Sequence, residues 1–146
     1  MIYWFTGQPG AGKTTLSRML YDYLKVSSDK IICIDGDDLR KLFNNQDYSE
    51  NGRRRNIERA QDIAKFLDSQ GYHVIVALVS PYKDQREQFK KDNRIFEIYV
   101  HTEDLRGREN FHVENYQKPT DKFIDLDNTN KSIEAVFEQL ILKIEL

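Results

Sequence analysis

Apolar residues in this chain come in two rhythms. Short continuous runs occupy residues 2–6, 30–34, 73–79, 95–100 and 123–126, and between them apolar positions recur every three or four residues. A run such as His73-Val74-Ile75-Val76-Ala77-Leu78-Val79 is what a strand buried on both faces shows, because neither of its sides meets water. The longer rhythm predicts amphipathic helices. Residues 13–25 place Leu16, Leu20, Tyr23 and Leu24 on one face, and 50–70 do the same with Ile57, Ala60, Ile63, Ala64 and Leu67. Gly71 is placed to end that second helix. Residues 82–92 are charged and helix-like, and the C-terminal stretch aligns Ile133, Val136, Phe137, Leu140 and Ile144. Five strands alternating with helices predict an α/β fold: a three-layer sandwich whose five-stranded parallel sheet carries helices on both faces. In such sheets the ligand lies beyond the carboxyl ends of the strands, so functional residues are expected just after each strand.

The residues that stand there are chemically specific. After the first run comes Gly7-Gln8-Pro9-Gly10-Ala11-Gly12-Lys13-Thr14, which matches G-x-x-x-x-G-K-[ST] between a strand and a helix. The glycines let successive N–H groups of residues 7–12 point into one concavity, a nest for phosphate oxygens, and the positive end of the following helix, with Thr15 in its first turn, adds to it. Lys13 supplies a charge for the outer phosphates of ATP, and Thr14 a hydroxyl for Mg²⁺. The motif makes the expected fold a P-loop NTPase-like three-layer sandwich. After the second strand stands Asp35-Gly36-Asp37-Asp38-Leu39-Arg40, after the third Ser80-Pro81-Tyr82, and after the fourth a polar segment with Arg106 and Arg108. A phosphate nest, carboxylates and arginines together suit phosphoryl transfer. Asp35 and Asp37 are candidates to orient an acceptor hydroxyl and take its proton late, Asp35 also to hold Mg²⁺; the competing reading of these aspartates is helix capping. Arg40 is placed to pin an acceptor phosphate. On the 50–70 helix Arg53 and Asn56 share a face, as do Asn56 and Arg59, giving an Arg/Asn clamp, whereas Arg54 and Arg55 point elsewhere and are expected in solvent.

Composition narrows the picture further. A chain of 146 residues with 39% hydrophobic and 32% charged positions fits one domain, residues 1–146, with a short lid around 103–119. A net charge of −2 gives no basic footprint for nucleic acid. No apolar stretch reaches membrane-spanning length, and Met1 leads into a strand without a charged leader, so a cytoplasmic protein with neither membrane nor nucleic-acid partner is expected. The single cysteine, Cys33, lies inside an apolar run and is expected to be buried and inert.

These residues together resemble the adenylylsulfate kinase family, which transfers the γ-phosphate of ATP to the 3′-hydroxyl of adenosine 5′-phosphosulfate. The family's phosphate loop, D-G-D-x-x-R, F-S-x-x-D-R-x-x-N-I and I-S-P-Y follow in the same order here as residues 7–14, Asp35 to Arg40, Tyr48-Ser49 through Arg53 and Asn56-Ile57, and Val79-Ser80-Pro81-Tyr82. The resemblance covers residues 1–103. It implies that Asp35 and Asp37 hold Mg²⁺ and the acceptor hydroxyl, that Arg40, Arg53 and Asn56 hold the acceptor nucleotide together with Val79, Ser80 and Pro81, and that Tyr48 replaces a stacking Phe. Ser80 stands where the family is assigned a phosphoserine; direct transfer needs no such step, and a contact to the acceptor is the simpler account. Two departures stand out. Gly52 replaces the Asp before the motif arginine, and the segment after the fourth strand is shorter by roughly fifteen residues, with Arg106 and Arg108 left for ATP and Phe111 for the acceptor base. Adenosine phosphosulfate is the leading acceptor; another nucleotide conjugate, such as cytidine diphosphoramidate, is the alternative. A nucleotide switch would need an N-K-x-D motif, and Asn130-Lys131-Ser132-Ile133 lacks the Asp. A binder without catalysis does not explain Lys13, Thr14, Asp35 and Asp37 occurring together. A small-molecule nucleotide acceptor is the expected partner, and a homodimer is left open.

Overall fold

The computed structural model describes residues 1–104 and 112–145. Five parallel strands, β1 (Ile2–Thr6), β2 (Ile31–Asp35), β3 (His73–Ala77), β4 (Ile95–His101) and β5 (Ile124–Asp127), form one sheet in the order β2-β3-β1-β4-β5. The helices are α1 (Lys13–Lys25), α2 (Gly36–Leu42), α3 (Glu50–Ser69), α4 (Lys83–Asp92) and α5 (Ile133–Ile144). This is the expected sandwich. The order places β1 centrally, and the chain reverses its direction of travel across the sheet around that strand, which opens a crevice above its carboxyl end.

Side-chain alternation along the strands builds two cores. Tyr3 and Phe5 of β1 point to one face, where Leu16 and Leu20 of α1 and Val136 and Leu140 of α5 bury them. Ile2 and Trp4 point to the other, against Ile57, Ala60 and Ala64 of α3 and Leu39 of α2, with Phe89 of α4 at the margin. Every β1 residue is buried, so the strand that delivers the phosphate loop is the most completely buried of the five.

Three expectations are corrected. β3 ends at Ala77 instead of running to residue 79, because the chain bends there: Gly7 N and Thr6 Oγ1 both take the Val79 carbonyl (3.3 and 2.7 Å), and Ser80 adopts a left-handed φ of 48°. β4 continues one residue further, to His101. Cys33 is exposed, as is Ile32, because β2 is the outermost strand and the flanking helices cover it incompletely. No helix among the described residues is long and apolar enough to cross a membrane.

Candidate active site

The crevice above β1 begins with the loop of residues 7–12. A Cβ on Gly7 would lie 2.2 Å from the Val100 carbonyl oxygen, and Gly7 has φ 150°, so only glycine lets the chain leave β1 beside β4. Lys13 opens α1 and folds back over the loop, its Nζ donating to the carbonyls of Gly7 (2.8 Å) and Gln8 (2.9 Å). It is 9% exposed, and this burial lowers its pKa to about 8, with the nearby Asp35 carboxylate pulling the other way. An ammonium buried at such a cost, with loop carbonyls and Asp35 beside it, is poised for an anion.

Asp35 ends β2 and caps α2. Its Oδ1 accepts from Asp37 N (2.8 Å) and Asp38 N (3.4 Å). The capping reading and the catalytic reading therefore meet in one side chain: one carboxylate oxygen fixes the helix, while the residue also lines a cavity of about 570 Å³. Pro9, Gly10, Lys13 and Thr14 of the phosphate loop and α1 line that cavity together with Asp35, Asp37, Arg40 and Tyr48, with Arg53 and Asn56 of α3, with Val79, Ser80 and Pro81 after β3, and with Val113. The structure thus brings the phosphate loop and all described candidates for the acceptor side into one space. Gly7, Gln8, Ala11, Gly12 and Thr15 stand behind or beside it: Ala11 packs in the core and Thr15 faces outward. Arg106, Arg108 and Phe111 lie outside the described residues.

Local contacts fix these side chains. The Arg40 guanidinium carbon sits 4.1 Å from the Tyr48 ring centroid, and its Nη1 donates to the carbonyls of Asn45 and Asp47 (3.3 and 3.1 Å). Asn56 is 3% exposed; its Nδ2 lies 3.5 Å from the Gly36 carbonyl, and its Oδ1 is buried with no partner among the described residues. A buried acceptor of that kind invites a donor from a ligand. The Ser80 side chain is also buried, and its Oγ accepts from Trp4 Nε1 (2.9 Å). Arg54 differs from expectation. It is a strut between α3 and α4, bidentate to Asp84 (3.0 and 3.1 Å), bonded to Glu50 (3.0 Å) and stacked 4.2 Å over Tyr82. Arg55 is exposed, as expected. Arg59 turns to the Phe43 ring (4.3 Å) and a separate cleft of about 670 Å³ outside the α2–α3 loop, so the clamp on the cavity is Arg53 and Asn56 alone. That larger cleft has no phosphate nest and none of the candidate carboxylates Asp35 and Asp37, and we assign it no part in the chemistry.

Sequence reasoning missed a supporting layer. The Gln8 carboxamide makes a reciprocal pair with the backbone of Val113, donating to its carbonyl (2.9 Å) and accepting from its N–H (2.8 Å). Asn128, just after β5, donates to the Ala11 carbonyl (3.2 Å) and takes the backbone of the loop against the sheet. Thr6 donates to Val79, so the Tyr116 hydroxyl is the donor in their 2.8 Å bond; burial pushes the Tyr116 pKa up to about 12 and keeps that proton in place. Arg86 is 3% exposed and reaches Glu97 Oε2 (3.0 Å), the Ser80 carbonyl (2.5 Å) and the Gln117 carbonyl. The signal for this last cluster was in the sequence: a Glu inside the apolar run 95–100 demands a buried partner.

Comparison with known proteins agrees with this fold and with the order of its motifs. Residues 1–124 match the family model described as adenylylsulphate kinase. A cytidine diphosphoramidate kinase of Campylobacter jejuni is 31% identical over 131 residues, covering 86% of this chain and 77% of the relative. An adenylyl-sulfate kinase of Staphylococcus carnosus is 28% identical over 167 residues, covering 99% and 84%. Among solved structures, the Mycobacterium tuberculosis APS kinase CysC in complex with AMPPNP and APS shares the fold with a TM-score of 0.85 at 23% identity, covering 99% of this chain and 97% of that one. The chain belongs to the adenylylsulphate kinase family and is an ATP-dependent kinase that phosphorylates the 3′-hydroxyl of a nucleotide.

Proposed function

We propose that the acceptor is adenosine 5′-phosphosulfate, bound in the 570 Å³ cavity opposite the phosphate loop. The observation that carries the reading is the shared cavity itself: Pro9, Gly10, Lys13 and Thr14 of the phosphate loop, the aspartates Asp35 and Asp37, the stacked Arg40–Tyr48 pair and the Arg53/Asn56 pair all line one space. The loop N–H groups and Lys13 hold the phosphates of ATP and offset charge as the γ-phosphoryl passes. Asp37, in the first turn of α2, orients the acceptor 3′-hydroxyl; as its O–H bond breaks and the new O–P bond forms, the proton passes to the carboxylate and ADP leaves. Arg40 and Arg53 take the acceptor phosphate, Tyr48 faces its base, and the Oδ1 of Asn56, without a partner among the described residues, accepts from the bound nucleotide.

Mg²⁺ fits the donor set. The exposed Thr14 hydroxyl and the Asp35 carboxylate are hard oxygen ligands on the same cavity, and this ion takes one or two protein oxygens beside substrate phosphates. When bound, it neutralises charge between the outer phosphates. Ser80 acts without a covalent intermediate, its hydroxyl being held by Trp4.

A second reading has its own support. The relative with 31% identity is a cytidine diphosphoramidate kinase, so a cytidine diphosphate conjugate is the competing acceptor. Initial rates with both acceptors present at equal concentration decide. Preferred consumption of adenosine phosphosulfate supports the first reading, and preferred phosphorylation of the cytidine conjugate replaces it while leaving the kinase chemistry in place.

A further inference from the structure

Gly52 departs from the family pattern, and the fold explains why. It lies in the first turn of α3, where glycine is a poorer helix former than alanine. What it provides is space. A Cβ built on Gly52 would lie 2.2 Å from the Asp47 carbonyl oxygen, 2.4 Å from Asp47 Cγ and 2.5 Å from Asp47 Cβ. The loop between α2 and α3 has folded into the volume that any side chain at position 52 needs.

That loop is a tight local network. Asp47 N donates to Asn45 Oδ1 (2.9 Å), Ser49 N to Asp47 Oδ1 (2.9 Å), and Asn45 Nδ2 to the Gly52 carbonyl (3.0 Å). Arg40 Nη1 closes it from the other side on the Asp47 carbonyl (3.1 Å). Tyr48 is the residue between the two bonded amides, so the network places its backbone; its ring, 63% exposed, meets the Arg40 guanidinium and lines the cavity.

We propose that Gly52 and Asp47 are a coupled pair of positioning residues that sets which nucleotide acceptors the kinase takes. The bare backbone at 52 lets Asp47 close onto α3, and this closure builds the Tyr48–Arg40 shelf that receives the acceptor's base and phosphate. Neither residue touches the reacting atoms. The inference rests on the cavity being the acceptor site, as proposed above. A side chain at 52 displaces the loop and with it the shelf, while the phosphate loop, which is not among the atoms such a side chain meets, is untouched.

Gly52→Ala is the test. Helix propensity alone predicts a slightly more stable protein with unchanged kinetics. The coupled pair predicts that KM for adenosine 5′-phosphosulfate and for the cytidine diphosphate conjugate, each measured, rise by unequal factors, the larger about 5- to 150-fold, the range covered by loss of one ring-on-base stack, with ATP KM unchanged. It also predicts faster hydrogen exchange at the Asp47 and Ser49 amides, with protection retained through residues 57–69 of α3. Asp47→Ala keeps Gly52 and removes only the carboxylate that Ser49 N bonds; it shifts acceptor KM and loop exchange the same way by a smaller factor, and serves if Gly52→Ala does not fold. Acceptor and ATP KM values moving together, with exchange raised along all of α3, overturn the proposal in favour of general destabilisation. So do an unchanged acceptor KM and unchanged loop exchange in both variants. If the unsubstituted protein phosphorylates no nucleotide, the acceptor reading fails on its own, and the exchange data alone decide whether Gly52 and Asp47 shape the loop.

Discussion

Lys13 makes nucleotide binding depend on pH with a definite sign. In the unbound protein its pKa is lowered to about 8, chiefly by burial, with Asp35 opposing. Against the ordinary 10.5 this is on the order of 3 kcal/mol held against the charged form. The unbound fold carries that penalty while the lysine is protonated, so its stability rises as pH climbs from about 8 toward 10.5. Phosphate oxygens reverse the balance, because an anion in the loop favours the ammonium. If binding returns the lysine to its ordinary pKa, the complex takes up about 0.9 proton at pH 9 and about 0.1 at pH 7, and affinity falls roughly tenfold per pH unit above 8. Calorimetry with a non-hydrolysable ATP analogue and Mg²⁺, run in two buffers of different ionisation enthalpy, measures the uptake directly. Lys13→Ala removes the difference between the two pH values. Equal uptake at pH 7 and pH 9, or an excess that persists in Lys13→Ala, would show that this lysine does not meet the phosphates.

Other side chains give separable outcomes. Asp35→Asn keeps an oxygen for the amides of Asp37 and Asp38, so it lowers kcat with little change in melting temperature. Asp35→Ala lowers kcat and also costs about 1 kcal/mol of stability as a lost cap; equal melting temperatures for the two would show that the cap contributes nothing. Arg86→Met strands Glu97 in the core, with Lys90 still on its other oxygen at 2.8 Å. Urea unfolding should show a loss of about 3 kcal/mol, the low end for breaking a buried pair, and a loss under about 1 kcal/mol would contradict the strut. Gln8→Leu removes both bonds to Val113 and raises KM for the acceptor and ATP together, since it frees a rim residue from the phosphate loop; steady-state kinetics that change neither KM refute that link.

The parts of the fold that were legible are those written in periodicity. Each continuous apolar run became a strand, and Leu16 with Leu20, or Ile57 with Ala60 and Ala64, turned to the core as their spacing requires. Position in the sheet was not legible. Cys33 sits in as apolar a run as Ile75, yet one is on the edge strand and the other beside the centre, and only the strand order separates them. The phosphate loop and the D-G-D-x-x-R stretch could be found because their chemistry is local in sequence. Arg54 was misread because its partner Asp84 lies thirty positions away on another helix. The Gln8–Val113 pair and the Gly52–Asp47 contact were invisible for a related reason: each has a loop residue as a partner, where no hydrophobic rhythm marks which residues meet.

The central claim is that the cavity carries a phosphoryl group from ATP to a nucleotide 3′-hydroxyl. Phosphorus NMR of the product formed from ATP, Mg²⁺ and adenosine 5′-phosphosulfate, with the cytidine diphosphate conjugate in parallel, tests it most directly. The account predicts one new phosphomonoester whose phosphorus couples to the ribose H3′, formed with an equal amount of ADP and absent with Lys13→Ala. A phosphate attached at any other position, or ADP released with no phosphorylated nucleotide from either acceptor, would contradict it.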